Sequence, residues 1–149
     1  MRAVVQRVTE ARVTVDDALV GQIGAGLLVY AAAAPDDGAA DVSYLAEKIA
    51  HVRVFPDADG KMNRSVIEAG GSVLLVSAFT VQADARKGRR PSFDTSASGP
   101  VAEPLVEQLV AGVRAYGLTV ATGRFAAHMH VASVNDGPIC ILLDSRRVV

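Results

Sequence analysis

An α+β domain with a mainly antiparallel sheet and two principal helices is the fold class predicted by three features of the 149-residue chain. Short runs of β-branched and aliphatic residues crowd both ends of the sequence. Only two stretches carry apolar residues at helical spacing, and strands and helices do not alternate regularly enough for a doubly wound sheet. Half of the residues are apolar, enough for one sizeable core, so residues 1–149 read as a single domain.

At the start, Ala3, Val5 and Val8 lie among polar residues, and Val13 and Val15 alternate with Arg12 and Thr14. Val20–Ile23 then follows an Asp16-Asp17 turn, so short-connected antiparallel strands are expected. Leu27-Leu28-Val29-Tyr30 is apolar throughout, as in a strand covered on both faces. Val42, Leu45, Ile49 and Val52 recur at three- and four-residue intervals, which predicts a helix over 41–52 with Glu47 and Lys48 in water. Val73–Val76 reads as another buried strand. The polar segment 83–100, rich in Arg, Ser, Gly and Pro, reads as a long surface loop. Leu105, Leu109 and Val113 share one face of a second helix predicted over 104–116, with Pro104 in its first turn and Gly117 past its end. The last third carries strands at 118–120, 130–134 and 139–143, the last two separated by Asn135-Asp136-Gly137-Pro138.

Charges nearly cancel, leaving a formal net charge of -1, so no whole-molecule field draws the chain to nucleic acid or membrane. Contact with RNA would have to come from a local patch. Cys140 is the only cysteine, which excludes an intrachain disulfide framework and fits a reducing compartment. The first residues alternate in polarity and lack the apolar centre of a secretory leader, and the longest apolar run, 24–34, is too short to cross a bilayer. A cytoplasmic protein is expected.

Familiar chemical motifs fail on spacing. Gly21, Gly24 and Gly26 do not match a phosphate-binding loop and no helix follows them, so a hairpin turn is expected. Asp57-Ala58-Asp59-Gly60 begins like a calcium loop, but Met62 stands where that loop requires glycine. His128 and His130 would share one face of a strand without an evident third ligand, and no metal is expected. There is no Gly-x-Ser-x-Gly elbow, and no histidine is placed to activate a serine or Cys140. Arg86, Lys87, Arg89 and Arg90 put four cations into five residues of the long loop, which suits either a solvated loop or phosphate contact.

Three further stretches carry a resemblance. Ser77-Ala78-Phe79-Thr80-Val81, Arg86-Lys87-Gly88-Arg89-Arg90-Pro91-Ser92-Phe93 and Asn135-Asp136-Gly137-Pro138-Ile139-Cys140 together resemble the D-aminoacyl-tRNA deacylase family. The opening Met1–Val8, Gly60–Asn63, Thr122-Gly123-Arg124-Phe125 and Leu142–Ser145 extend the match over nearly the whole chain, in order. Ala78 and Val81 depart from the family's Ser-Gln-Phe-Thr-Leu, and Ile139-Cys140 from its Gly-Pro-Val-Thr; Ala126 stands where the family commonly has glycine. The apolar exchanges keep shape, whereas the losses at 78 and 140 remove an amide and a hydroxyl.

The resemblance implies a homodimeric, cofactor-free esterase that releases D-amino acids from tRNA and glycine mischarged on alanine tRNA. It implies catalysis around Ser77, Ala78, Phe79 and Thr80, with backbone N–H groups near Phe79 and Thr80 facing the reacting carbonyl and the terminal 2′-hydroxyl helping to activate water. It also implies a cis Gly137-Pro138 pair that reaches the partner's pocket and blocks L side chains. Met129 and Asn135 would shape that pocket and its turn, Arg7 would hold the Gly-Pro loop, and Arg86, Lys87, Arg89 and Arg90 would touch tRNA. Taken alone, Phe79 reads as core, and Ser77 and Thr80 as hydroxyls bonded to their own backbone. A nucleic-acid-binding scaffold of the same fold with lost or altered activity is the alternative.

Overall fold

The computed structural model describes all residues from Met1 to Val149. β1 (Arg2–Val15) is the centre of the sheet. It pairs antiparallel with β2 (Ala18–Ile23) and β3 (Gly26–Ala32) along one edge and with β8 (His130–Asp144) along the other. β6 (Ser72–Ser77) adds parallel to β3, and β7 (Val120–Thr122) parallel to β6, giving the order β2-β1-β3-β6-β7 with β8 on β1.

The expected antiparallel sheet is therefore mixed. Parallel neighbours need a long crossover, and the two helices supply it: α1 (Ala39–His51) lies between β3 and β6, and α2 (Gly99–Arg114) between β6 and β7. A small hairpin, β4 (Phe55–Pro56) with β5 (Met62–Arg64), completes the first crossover. Its turn is tied by the Asp57 carboxylate, which accepts from the Asp59 and Lys61 N–H groups and from Asn63.

Alternation along the strands sorts the core into two layers. Leu27, Val29, Val73 and Leu75 face the helices and pack with Leu45, Ile49, Leu105, Leu109 and Val113. Leu28, Leu74 and Val76 face the other way and pack with Val8, Val13 and Ile23, where β2 curls over β6 and β7 to give a barrel-like bend. The helices approach closely at Gly112, where an added Cβ would lie 3.1 Å from that of Ala46.

The strand expected at 118–120 runs instead over Val120–Thr122, and two further differences bear on the site. α2 starts at Gly99 rather than Pro104, because Pro100 serves the first turn and buried Ala102 extends the apolar stripe upstream. Pro104 sits inside the helix on its exposed side and lacks the N–H that would reach back to the Pro100 carbonyl. The predicted strands at 130–134 and 139–143 are one strand: β1 runs beside both halves, pairing Val8 with Asn135 and Gln6 with Cys140. Asp136–Ile139 are thereby extruded opposite the single residue Arg7 as a large bulge.

Candidate active site

A cavity of about 380 Å3 opens where the parallel strands β3 and β6 end. Carboxyl ends of parallel strands are favoured ligand positions because the chain leaves the sheet there in different directions. Ala32 and Ala33 continue β3 into one wall. Ser77 closes β6, and Ala78, Phe79 and Thr80 carry the chain into a short 3-10 helix (Phe79–Gln82). Ala97 lies just before α2, Gly99, Ala102 and Val106 come from its first half, and Phe125, Ala126, Ala127 and Met129 from the loop before β8.

Small residues make the space, and no residue on this wall is ionisable. Ser77 and Thr80 provide its only side-chain hydroxyls. As the leading residues of a 3-10 helix, Phe79 and Thr80 have no carbonyl inside that helix to receive their N–H groups. The Phe79 carbonyl accepts from the Ser96 hydroxyl at 2.9 Å, which ties the helix to the following loop. Met129 is fixed by its sulfur, which accepts from the Arg124 N–H at 3.4 Å. Ala126 holds φ of 60° on this wall, a left-handed conformation that glycine adopts more readily.

Gly137 and Pro138 occupy the exposed tip of the bulge and do not line the cavity of their own chain. The peptide between them is cis. Arg7 anchors the bulge from β1: Nη1 donates to the Val54 carbonyl at 2.6 Å, and Nε lies 3.3 Å from the Asp136 carbonyl and 3.2 Å from its carboxylate. Asn135 donates to the carbonyls of Arg7 and Ile139, both at 2.9 Å, across the base of the bulge. Gly137 has φ of 129°, and an added Cβ would lie 2.7 Å from Cγ1 of Ile139 and 2.9 Å from its backbone nitrogen. Cys140 is exposed beside Gln6, with Nε2 3.9 Å from its sulfur.

The cationic segment is the tip of a loop closed by two backbone hydrogen bonds of 2.8 Å between Asp84 and Ser92. Arg86 is turned back on Asp84, whose carboxyl it holds well below the usual carboxylate range. Lys87, Arg89 and Arg90 are exposed and form no ion pair. The rings of His128 and His130 meet edge to face at 5.2 Å, on either side of Met129 in the chain.

A family model described as D-Tyr-tRNA(Tyr) deacylase matches residues 4–144. The chain belongs to this deacylase family. A protein of Heliobacterium modesticaldum named D-aminoacyl-tRNA deacylase is 56% identical over 146 residues, covering 98% of this chain and 97% of its own. Its namesake from Symbiobacterium thermophilum is 56% identical over 147 residues, covering 99% and 97%. A solved structure described as "c-Myc DNA Unwinding Element Binding Protein" superposes with a TM-score of 0.91 at 35% identity, covering 97% of this chain and 98% of that one. A second, described as a probable eukaryotic D-amino acid tRNA deacylase, shares the fold with a TM-score of 0.81 at 19% identity.

Within the deacylase chain, the structure brings Ser77, Ala78, Phe79, Thr80 and Met129 to one cavity and places Arg7, Asn135, Gly137 and Pro138 together elsewhere. Ala32, Ala33, Ala97, Ala102 and Ala127 complete the wall without any chemical signal in the sequence, whereas Ala78 and Ala126 stood out only as departures from the family's motifs. Phe125 lay within a matched motif, yet nothing in its type or spacing marked it as a cavity residue.

Proposed function

We propose that the cavity hydrolyses the ester joining a D-amino acid, or glycine, to the 3′-terminal ribose of a tRNA. The observation that carries this reading is a cavity wall without any acid, base or thiol, which suits a substrate that is already an activated ester. Such a substrate needs positioned water, donors for the developing oxyanion and a means of exclusion, and no strong side-chain nucleophile. Membership of the deacylase family, with relatives of that name more than half identical over nearly the entire chain, makes the protein a hydrolase of this class.

In this reading the N–H groups of Phe79 and Thr80 stabilise the oxyanion, and the 2′-hydroxyl of the terminal adenosine helps to activate water. This reading does not make Thr80 the nucleophile, and the lack of an ionisable residue on the cavity wall to take its proton supports that choice. Rejection of L-amino acids falls to Gly137-Pro138 of a second copy, entering the cavity as a rigid main-chain wall. Two features support an intermolecular arrangement. The bulge stands clear of its own cavity, and the outer edge of the 15-residue β8 has no neighbouring strand and exposes Val134 and Leu142. A two-fold dimer would then hold two equivalent sites. Lys87, Arg89 and Arg90, with Arg86 partly neutralised, provide phosphate contacts. A cytoplasmic, tRNA-acting role belongs to this reading, and no helix of the structure is long and apolar enough to cross a membrane.

Purified protein incubated with D-tyrosyl-, L-tyrosyl- and glycyl-tRNA is expected to release D-tyrosine and glycine but not L-tyrosine. Equal release of both enantiomers would defeat the chiral filter, and no release at all would defeat the esterase. Ala78 favours a second reading, binding without turnover, because the cavity wall there lacks the amide that the family usually carries. That reading requires salt-sensitive tRNA binding in a protein that yields no product.

A further inference from the structure

The cavity has a second aromatic at its lip. Phe79 is 55% exposed and Phe93 is 40% exposed, although phenylalanine is normally withdrawn from water. Their rings meet at 5.1 Å with planes inclined at 70°. Phe79 lines the cavity and Phe93 does not, so Phe93 adds a second exposed ring beside the cavity wall. Local structure holds it there: the Asp84–Ser92 backbone pair closes the loop on one side, and on the other the Ser96 N–H donates to the Phe93 carbonyl at 2.9 Å. The Ser96 hydroxyl meanwhile reaches the Phe79 carbonyl at 2.9 Å, so one residue ties both aromatics in place. The same closed loop carries exposed Lys87, Arg89 and Arg90 with no carboxylate partner.

Exposed aromatics beside free cations are the two components of a single-stranded nucleic-acid site, one stacking on bases and the other following phosphates. We propose that Phe93 is the stacking platform for the base of the nucleotide preceding the terminal adenosine, with Lys87, Arg89 and Arg90 receiving its phosphates. The proposal rests on the assignment of the cavity to the aminoacylated adenosine. It makes Phe93 a positioning residue that recognises the unpaired tRNA end and takes no part in ester cleavage. Stacking of this kind tolerates any base, so recognition depends on a flat aromatic side chain at position 93.

Phe93→Leu keeps apolar contact with Phe79 but removes the aromatic face, and Phe93→Tyr restores that face. With D-tyrosyl-tRNA, the leucine variant is expected to raise KM roughly tenfold at unchanged kcat. With D-tyrosyl-adenosine, which has no preceding nucleotide, its KM should stay within about twofold of the parent. The tyrosine variant should behave as the parent on both. Equal losses on the two substrates, or none on tRNA, would overturn the proposal. Should the parent protein cleave neither substrate, the esterase assignment fails first. Binding of a short single-stranded RNA ending in cytidine-cytidine-adenosine then decides the matter for Phe93. Weaker binding by the leucine variant alone supports the platform, whereas equal binding by all three proteins, or binding by none, removes it.

Discussion

The cavity at the end of β6 is walled by alanines, hydroxyls and main chain, whereas the bulge of β8 is held by one arginine, one asparagine and a glycine with no room for a side chain. The first takes its shape from what is missing, since small residues converge from β3, the 3-10 helix, α2 and the loop before β8. The second takes its shape from a few strong polar contacts across β1. A wall of this kind should survive the loss of one functional atom, while a protrusion on so few anchors should not.

Gly137→Ala offers the severest way to break that contrast. The new methyl would press on Ile139 at a backbone angle that L side chains rarely adopt. A shift of about 1 Å near reacting atoms can cost roughly 100-fold, so kcat/KM for D-tyrosyl-tRNA should fall by about that factor with the circular dichroism spectrum preserved. Activity within twofold of the parent would separate the bulge from the chemistry. Arg7→Ala removes the bonds to Val54 and Asp136 from a side chain that is only 13% exposed. Urea denaturation should show a loss of about 2 kcal/mol, typical of hydrogen bonds to a charged group, accompanied by weaker discrimination of D- from L-tyrosyl-tRNA. Unaltered discrimination in a destabilised protein would leave Arg7 a purely structural residue. Thr80→Ala should have the smallest effect, retaining activity within about tenfold, because main chain and substrate carry the reaction. Removal of a true nucleophile costs on the order of 10^4-fold or more, and a loss of that size in a folded, tRNA-binding variant would make Thr80 the attacking group.

Much of the fold was legible in local patterning. The alternation of Val13 and Val15, the apolar run at Leu27–Tyr30 and the stripe of Val42, Leu45 and Ile49 each became the element expected, with α1 displaced by a residue or two. Pairing was less legible, because periodicity states which face of a strand is buried and not which strand lies beside it. The sequence therefore did not reveal that α1 and α2 are crossovers between parallel strands. Pro104 looked like a first-turn proline, and the earlier Pro100 took that place. Asn135-Asp136-Gly137-Pro138 signalled a break in a strand, correctly as to backbone and wrongly as to topology, since only the partner strand shows whether a break is a turn or a bulge. Gly137 and Pro138 were noticeable as residue types, whereas Ala32, Ala97 and Ala102 are ordinary until the fold gathers them.

β1 belongs to both regions at once. Through its first half it is bonded to β3, whose end supplies Ala32 and Ala33 to the cavity, and at Arg7 it grips the extruded segment of β8. Side chains on a strand alternate between faces, so losing a single residue before Arg7 would swing the guanidinium to the opposite side and drive the buried valines out of the core. Mutational drift can thus alter lengths in the loops around either feature with some freedom, but the spacing from Arg2 to Val8 is constrained by both together.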